Sequence, residues 1–206
     1  MGKHSQSIDL RILSRIYGNG RGWVFTPNHF QDLGSRTAVG LALMRHTRAG
    51  TIRQLARGLY DYPRRHAVLG FLNPPADAVA KALAGRDATR LQPAGGYAAN
   101  LLGLSDQMPM RVVFLTDGPT RSVVLSKQTI TLKRTTPKNM VAAGKKSGLV
   151  IQALRHLGKR HMDDNLISQL RARLTDDDKK QLLQYITYVP AWVADVMRRV
   201  ATRKKS

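Results

Sequence analysis

The chain contains no cysteine and no glutamate. Without thiols it can form neither a disulfide nor a thiolate metal centre, which suits a reducing compartment. Its 13 acidic residues in 206 are all aspartate, a thin supply for general bases or for carboxylate clusters that hold catalytic metals. No window approaches the roughly 18 uncharged apolar residues of a membrane span. The N-terminal MGKHSQSIDLRILSRIYG also lacks the apolar core of a secretory signal. These absences imply a soluble cytoplasmic protein with no membrane partner.

Lysine and arginine number 34, giving a formal charge of +21 and a sequence pI near 11.2. Hydrophobic residues make up 42% of the chain, too many for a disordered polycation. A folded protein with this excess implies a polyanionic partner, and nucleic acid is the first candidate. The excess is +8 over residues 1–70, +4 over 71–135 and +9 over 136–206. The cations are therefore spread along the chain and not confined to a tail.

Ile8, Ile12 and Ile16, spaced by four with Leu13 beside them, predict an amphipathic helix over 7–17. GNGRG at 18–22 then turns into a short strand, WVFT. A phosphate-binding loop is the alternative for these glycines, but no Lys-Ser/Thr pair follows and the next element is a strand. Pro27 predicts a helix start and Gly34 its stop. Ser35 predicts the cap of a second helix, with Val39, Ala42, Leu43 and His46 at core spacing and Gly50 at its end. TIRQLA and GLYDY read as a hairpin turning at Arg57-Gly58. Helix, strand, helix, short turn, helix and hairpin is the order of a winged helix-turn-helix.

The fold class expected is α+β: that N-terminal winged helix-turn-helix, a mixed α/β C-terminal domain and a helical tail. The divisions are 1–66 for the DNA-binding domain, 67–76 for a proline-rich linker and 77–206 for the second domain, mixed over 77–145 and helical over 146–206. In the second domain DAVAKALAG and GGYAANLLGL predict helices and RVVFLTD a strand. LTDGPTR predicts a hairpin connection, and RSVVLSKQTITLKRT predicts antiparallel strand with Val124, Ile130 and Leu132 inward. Four helical stretches follow.

In such a motif the first turn of the second helix lies nearest the base edges. Ser35, Arg36 and Thr37 are the expected direct readers, Arg36 by forking onto a guanine. Gly40 and Met44 follow on the same side, the glycine allowing close approach. Arg48 at the helix end, with Arg53 and Arg57 on the hairpin, are expected on phosphates or in the minor groove. His46 is expected to pack in the core and not to ligate.

Asp163-Asp164 and Asp176-Asp177-Asp178 could be an acidic metal cluster, but each stands where a helix begins, so capping is the expected role. The histidines are scattered without ligand spacing, and Ser122 and Ser126 lack a His or Asp partner in the pattern. No catalytic residue, cofactor or metal site is expected. RRVATRKK at 198–205 is either a second phosphate contact or a solvated end.

RIYGNGRGWVFTPNHFQDLGSRTAVGLALMRHTRAGTIRQLARGLYDYP, followed by LQPAGGYAANLLGLS and VVFLTDGPTRSVVL, resembles the AbiEi-type antitoxin and transcriptional regulator family of bacteria over about residues 8–160. The resemblance implies a repressor that binds inverted repeats in its own promoter through the helix at 35–49 and the wing at 51–62; inverted repeats place two copies a helical turn or a multiple of it apart, meeting either in solution or only on DNA. It also implies a C-terminal domain that neutralises a toxin similar to nucleotidyltransferases without a stable complex, the type IV arrangement. The rival expectations are a basic RNA- or protein-binding module acting through the C-terminal helices, and a metal-dependent nucleic-acid enzyme.

Overall fold

The computed structural model describes residues 7–85 and 90–202. The chain divides into two compact units, one formed by residues 1–88 with 123–125, the other by 89–122 with 126–206. Both helices and sheets are present, so the protein is of mixed α+β class. Among the described residues no helix is long and apolar enough to cross a membrane.

The first unit opens with α1 (Ile8–Asn19), capped by the Ser7 hydroxyl, and β1 (Val24–Phe25) follows. The helix expected from Pro27 to Gly34 is only a four-residue 3₁₀ turn, Pro27–Phe30. The His29 N–H donates to the Thr26 carbonyl and the Leu33 N–H to the Phe30 carbonyl, both three residues back, so the segment stays tight instead of relaxing into α-helix. Gly34 follows because α1 lies against it: a Cβ there would stand 2.7 Å from Ile8 Cδ1.

The second helix, α2 (Arg36–Arg48), leads into β2 (Arg53–Ala56) and β3 (Leu59–Asp61), which turn at Arg57-Gly58. Gly58 supplies the left-handed φ of +72° that this turn requires. β1 and β2 each pair antiparallel with β3, giving the order β1-β3-β2. Ile12 and Ile16 of α1, Val39, Ala42 and Leu43 of α2, and Phe25 and Phe30 close one core.

The expected linker at 67–76 carries structure instead. β4 (Arg65–His66) and β5 (Gly70–Phe71) form a small ribbon, and α3 (Ala76–Ala84) packs against β1. The boundary between units therefore falls near residue 88 and not at 66–76. The prolines bend the chain here without detaching α3, because Val79 and Ala80 are fully buried.

The second unit has a four-stranded sheet in the order β6-β7-β9-β8, comprising β6 (Leu91–Ala94), β7 (Arg111–Thr116), β8 (Arg121–Leu125) and β9 (Gln128–Arg134). Two expectations are corrected here. LTDGPTR does not close a hairpin, since β7 pairs with β9 and in parallel, so the chain passes over to the sheet edge before returning. Val124 is 63% exposed on that edge strand, while Ile130 and Leu132 are buried as expected.

α4 (Gly95–Leu101) and α5 (Lys146–Leu157) pack on each other and on β6, with Tyr97 against Phe114 of β7. α6 (Asp164–Arg173), α7 (Asp176–Leu183) and α8 (Ala191–Ala201) complete this core through Leu170, Leu182, Val193 and Met197. Arg203, Lys204 and Lys205 of the basic end, like His4, lie outside the described residues.

Candidate nucleic-acid interface

The placement of α2 follows from its two faces. Val39, Ala42 and Leu43 are buried against α1, which leaves Arg36, Thr37, Gly40, Leu41, Met44 and Arg48 exposed on the opposite side. Ser35 fixes where the helix starts, its hydroxyl accepting from the Ala38 N–H at 3.2 Å. The cap satisfies one of the free N–H groups of the first turn and so holds Arg36 and Thr37 at a defined end.

A clamp from α1 sets the rotation of α2. Arg45 donates to Asp9 at 2.6 Å, and His46 Nε2 stands 3.4 Å from the other carboxylate oxygen. His46 is thus partly buried beside an aspartate, on the α1 side of the helix. Gly40 faces open space, with no heavy atom within 4 Å of an added Cβ. The helix surface at Gly40 is therefore open to solvent for about the reach of one side chain.

The arginines divide sharply by partner. Arg15 is bidentate to Asp32 at 2.8 and 2.7 Å and also donates to the His29 carbonyl. Its hydrogen bond to Asp32 raises its pKa despite partial burial. Arg21 lies over the Tyr62 ring at 4.7 Å and donates to the Pro63 carbonyl, while Arg64 donates to the Arg21 carbonyl. Arg36, Arg48 and Arg57 have no hydrogen bond or ion pair among the described residues, and all three are exposed.

Arg53, expected on a phosphate, is engaged within the hairpin. It grips Asp61 across the hairpin at 3.1 and 2.6 Å, and donates to the Leu72 carbonyl at 2.9 Å. Asp61 is 1% exposed, and its hydrogen bond raises the Arg53 pKa against the effect of burial. A buried carboxylate without a partner would be very costly, so Arg53 is held as its counter-ion. Spacing alone does not reveal this pair: a regular two-residue turn at Arg57-Gly58 would set Gln54 opposite Asp61, and a register shift between Gln54 and Ala56 brings Arg53 there instead.

The acidic clusters cap helices. Asp163 accepts from the Leu166 N–H at 2.8 Å, and Thr175 and Asp178 exchange bonds with each other's backbone N–H. Asp176 and Asp177 pair with Lys179 and Lys180 one turn on. Among the described residues no group of three metal-ligating side chains is assembled.

The family model matching residues 11–182 is described as a family of unknown function, DUF6088. The chain belongs to that family. The matched segment takes in the whole exposed face of α2, both ribbons, the four-stranded sheet and the helices through most of α7. Among solved structures the chain is similar to the RV2827C protein from Mycobacterium tuberculosis. That likeness has 16% identity and a TM-score of 0.49, over 94% of this chain and 76% of that one. No curated protein gives a significant match.

Proposed function

We propose that the first unit is a winged helix-turn-helix that reads duplex DNA, with α2 in the major groove and the Arg57-Gly58 turn as the wing. Element order and sheet order support this: α1, β1, the 3₁₀ turn, α2 and the β2–β3 hairpin, closed as β1-β3-β2. The observation that carries it is the exposed face of α2. The helix contains no acid, and it presents Arg36 and Arg48, without a partner among the described residues, on either side of an open glycine.

Arg36 and Thr37, in the first turn, are the base readers of this proposal. Ser35 acts by capping that turn, while Arg48 and Arg57 take phosphates. Arg53 has no direct part; it stiffens the wing. The protein is a transcriptional repressor in the bacterial cytoplasm, acting on inverted repeats of its own promoter as the antitoxin of a type IV pair. The AbiEi-like motifs support the antitoxin role, with a nucleotidyltransferase-like toxin as the partner neutralised. The protein works by binding and not by catalysis.

The test is an electrophoretic shift on the DNA upstream of the coding sequence with wild-type, Arg36→Ala and Arg57→Ala proteins. Sequence preference lost with Arg36→Ala, and uniformly weaker binding with Arg57→Ala, is the expected pattern. Unchanged affinity and preference in both variants contradict the proposal.

A further inference from the structure

Leu41 and Met44 are 48% and 39% exposed on the same side of α2. Thr37, Leu41, Met44 and Arg48 are spaced four, three and four apart, so they form one stripe along the helix. At 100° per residue the exposed positions from Arg36 to Leu41 span an arc of about 140°, with Gly40 inside it. One exposed leucine would be ordinary. Two large apolar side chains on this acid-free face, Met44 near its middle and Leu41 at its edge, beside arginines without a partner among the described residues, call for a partner that is anionic and yet offers an apolar group.

We infer that α2 reads thymine, Leu41 and Met44 packing on the 5-methyl groups of thymines beside the base addressed by Arg36. The inference rests on the DNA-reading function proposed above. In the major groove the hydrogen-bonding edges of all four base pairs are polar, and the one apolar feature is the thymine methyl. A protein partner fits poorly: a stable interface covers about 800 Å² on each side, far more than two side chains supply, and arginines without a partner among the described residues border them. The open surface above Gly40 admits the close approach that methyl contact requires.

The experiment uses the full-length protein and a random-sequence duplex pool selected on it. The selected pool is re-amplified with dUTP in place of dTTP, which removes every 5-methyl and leaves each base's hydrogen-bonding edge intact. Each methyl group buried is worth about three- to fourfold in binding, so wild-type protein should bind the uracil pool about tenfold more weakly if two are contacted. The Leu41→Ala/Met44→Ala protein should bind the thymine pool more weakly and distinguish the two pools by less than about twofold. Met44→Leu, which stays apolar, should keep the discrimination.

Equal binding of both pools by wild type, or wild-type discrimination by the double alanine variant, overturns the inference and leaves the proposed function standing. Failure of the protein to select any sequence overturns the proposed function and this inference with it. If the double variant loses only self-association in sedimentation while binding both pools like wild type, the face belongs to a second copy and the inference is overturned. Because both side chains are exposed, the variant should melt within a few degrees of wild type. Circular dichroism checks that.

Discussion

The exposed face of α2 and the helices α5 to α8 carry similar cations in opposite situations. On α2 no acid is present, and Arg36 and Arg48 have no partner among the described residues. In the helical part of the second unit, Lys146 meets Asp178, Lys179 meets Asp176, Lys180 meets Asp177 and Arg199 meets Asp164. Arg171 and Arg173 there donate to backbone carbonyls of Arg199, Leu102 and Gly103. Net charge by segment ranks the C-terminal stretch slightly ahead, yet seven of its twelve described cations are already held by hydrogen bonds or ion pairs, Arg155 on Asn139 being the seventh. Which cations can neutralise phosphates is decided by where the few aspartates stand.

The largest expected effect breaks the comparison from the engaged side. Arg53→Met leaves Asp61 buried without its counter-ion and should lower stability by about 3 kcal/mol, read by urea denaturation. Asp61→Asn in the same background should restore part of it. Next is Arg36→Ala, which should cost about 1–3 kcal/mol of DNA affinity at one base position while moving stability by less than about 0.5 kcal/mol.

Ser35→Ala removes the cap of α2 and should cost about 1 kcal/mol of stability, measured by thermal melting, with a smaller loss in DNA binding. Arg57→Ala should lower the slope of log affinity against log salt by about one while leaving preference intact. The smallest effect lies in the second unit. Burial pushes the Asp178 carboxyl up, but hydrogen bonds from Lys146 and Thr175 outweigh this and hold it below its usual value. Its contribution is present above the ordinary carboxylate pKa of about 3.9 and is lost as pH falls through the lower folded-state value. Denaturation midpoints measured downward from pH 5 should therefore decline less steeply in Lys146→Met than in wild type.

Much of the first unit could be read from local chemistry. Isoleucines at helical spacing, the Ser35 cap and the Arg57-Gly58 turn each act within a few residues, and α1, α2 and the β2–β3 hairpin stand where those signals put them. The 3₁₀ segment escaped because Pro27 starts an α-helical or a 3₁₀ turn equally well, so the sequence signal does not distinguish them. β6 escaped for another reason. Its Gln92-Pro93 reads as a breaker, and the strand exists because it is an edge, pairing with β7 alone, where a proline is tolerated. The parallel β7–β9 pairing is non-local and has no signature in a run of alternating residues. For the site, Ser35, Arg36, Thr37, Gly40, Met44, Arg48 and Arg57 emerge exposed together as spacing predicts, whereas Arg53 needed the hairpin register to reveal its aspartate.

The central claim is that unpaired cations on α2, and not overall positive charge, bind DNA. Affinity for one selected duplex should be measured at fixed salt for the Arg36→Ala/Arg48→Ala and Lys179→Ala/Lys180→Ala proteins, which lose the same formal charge. A loss of at least about tenfold in the first and less than about twofold in the second is predicted. Equal losses in the two would contradict the account.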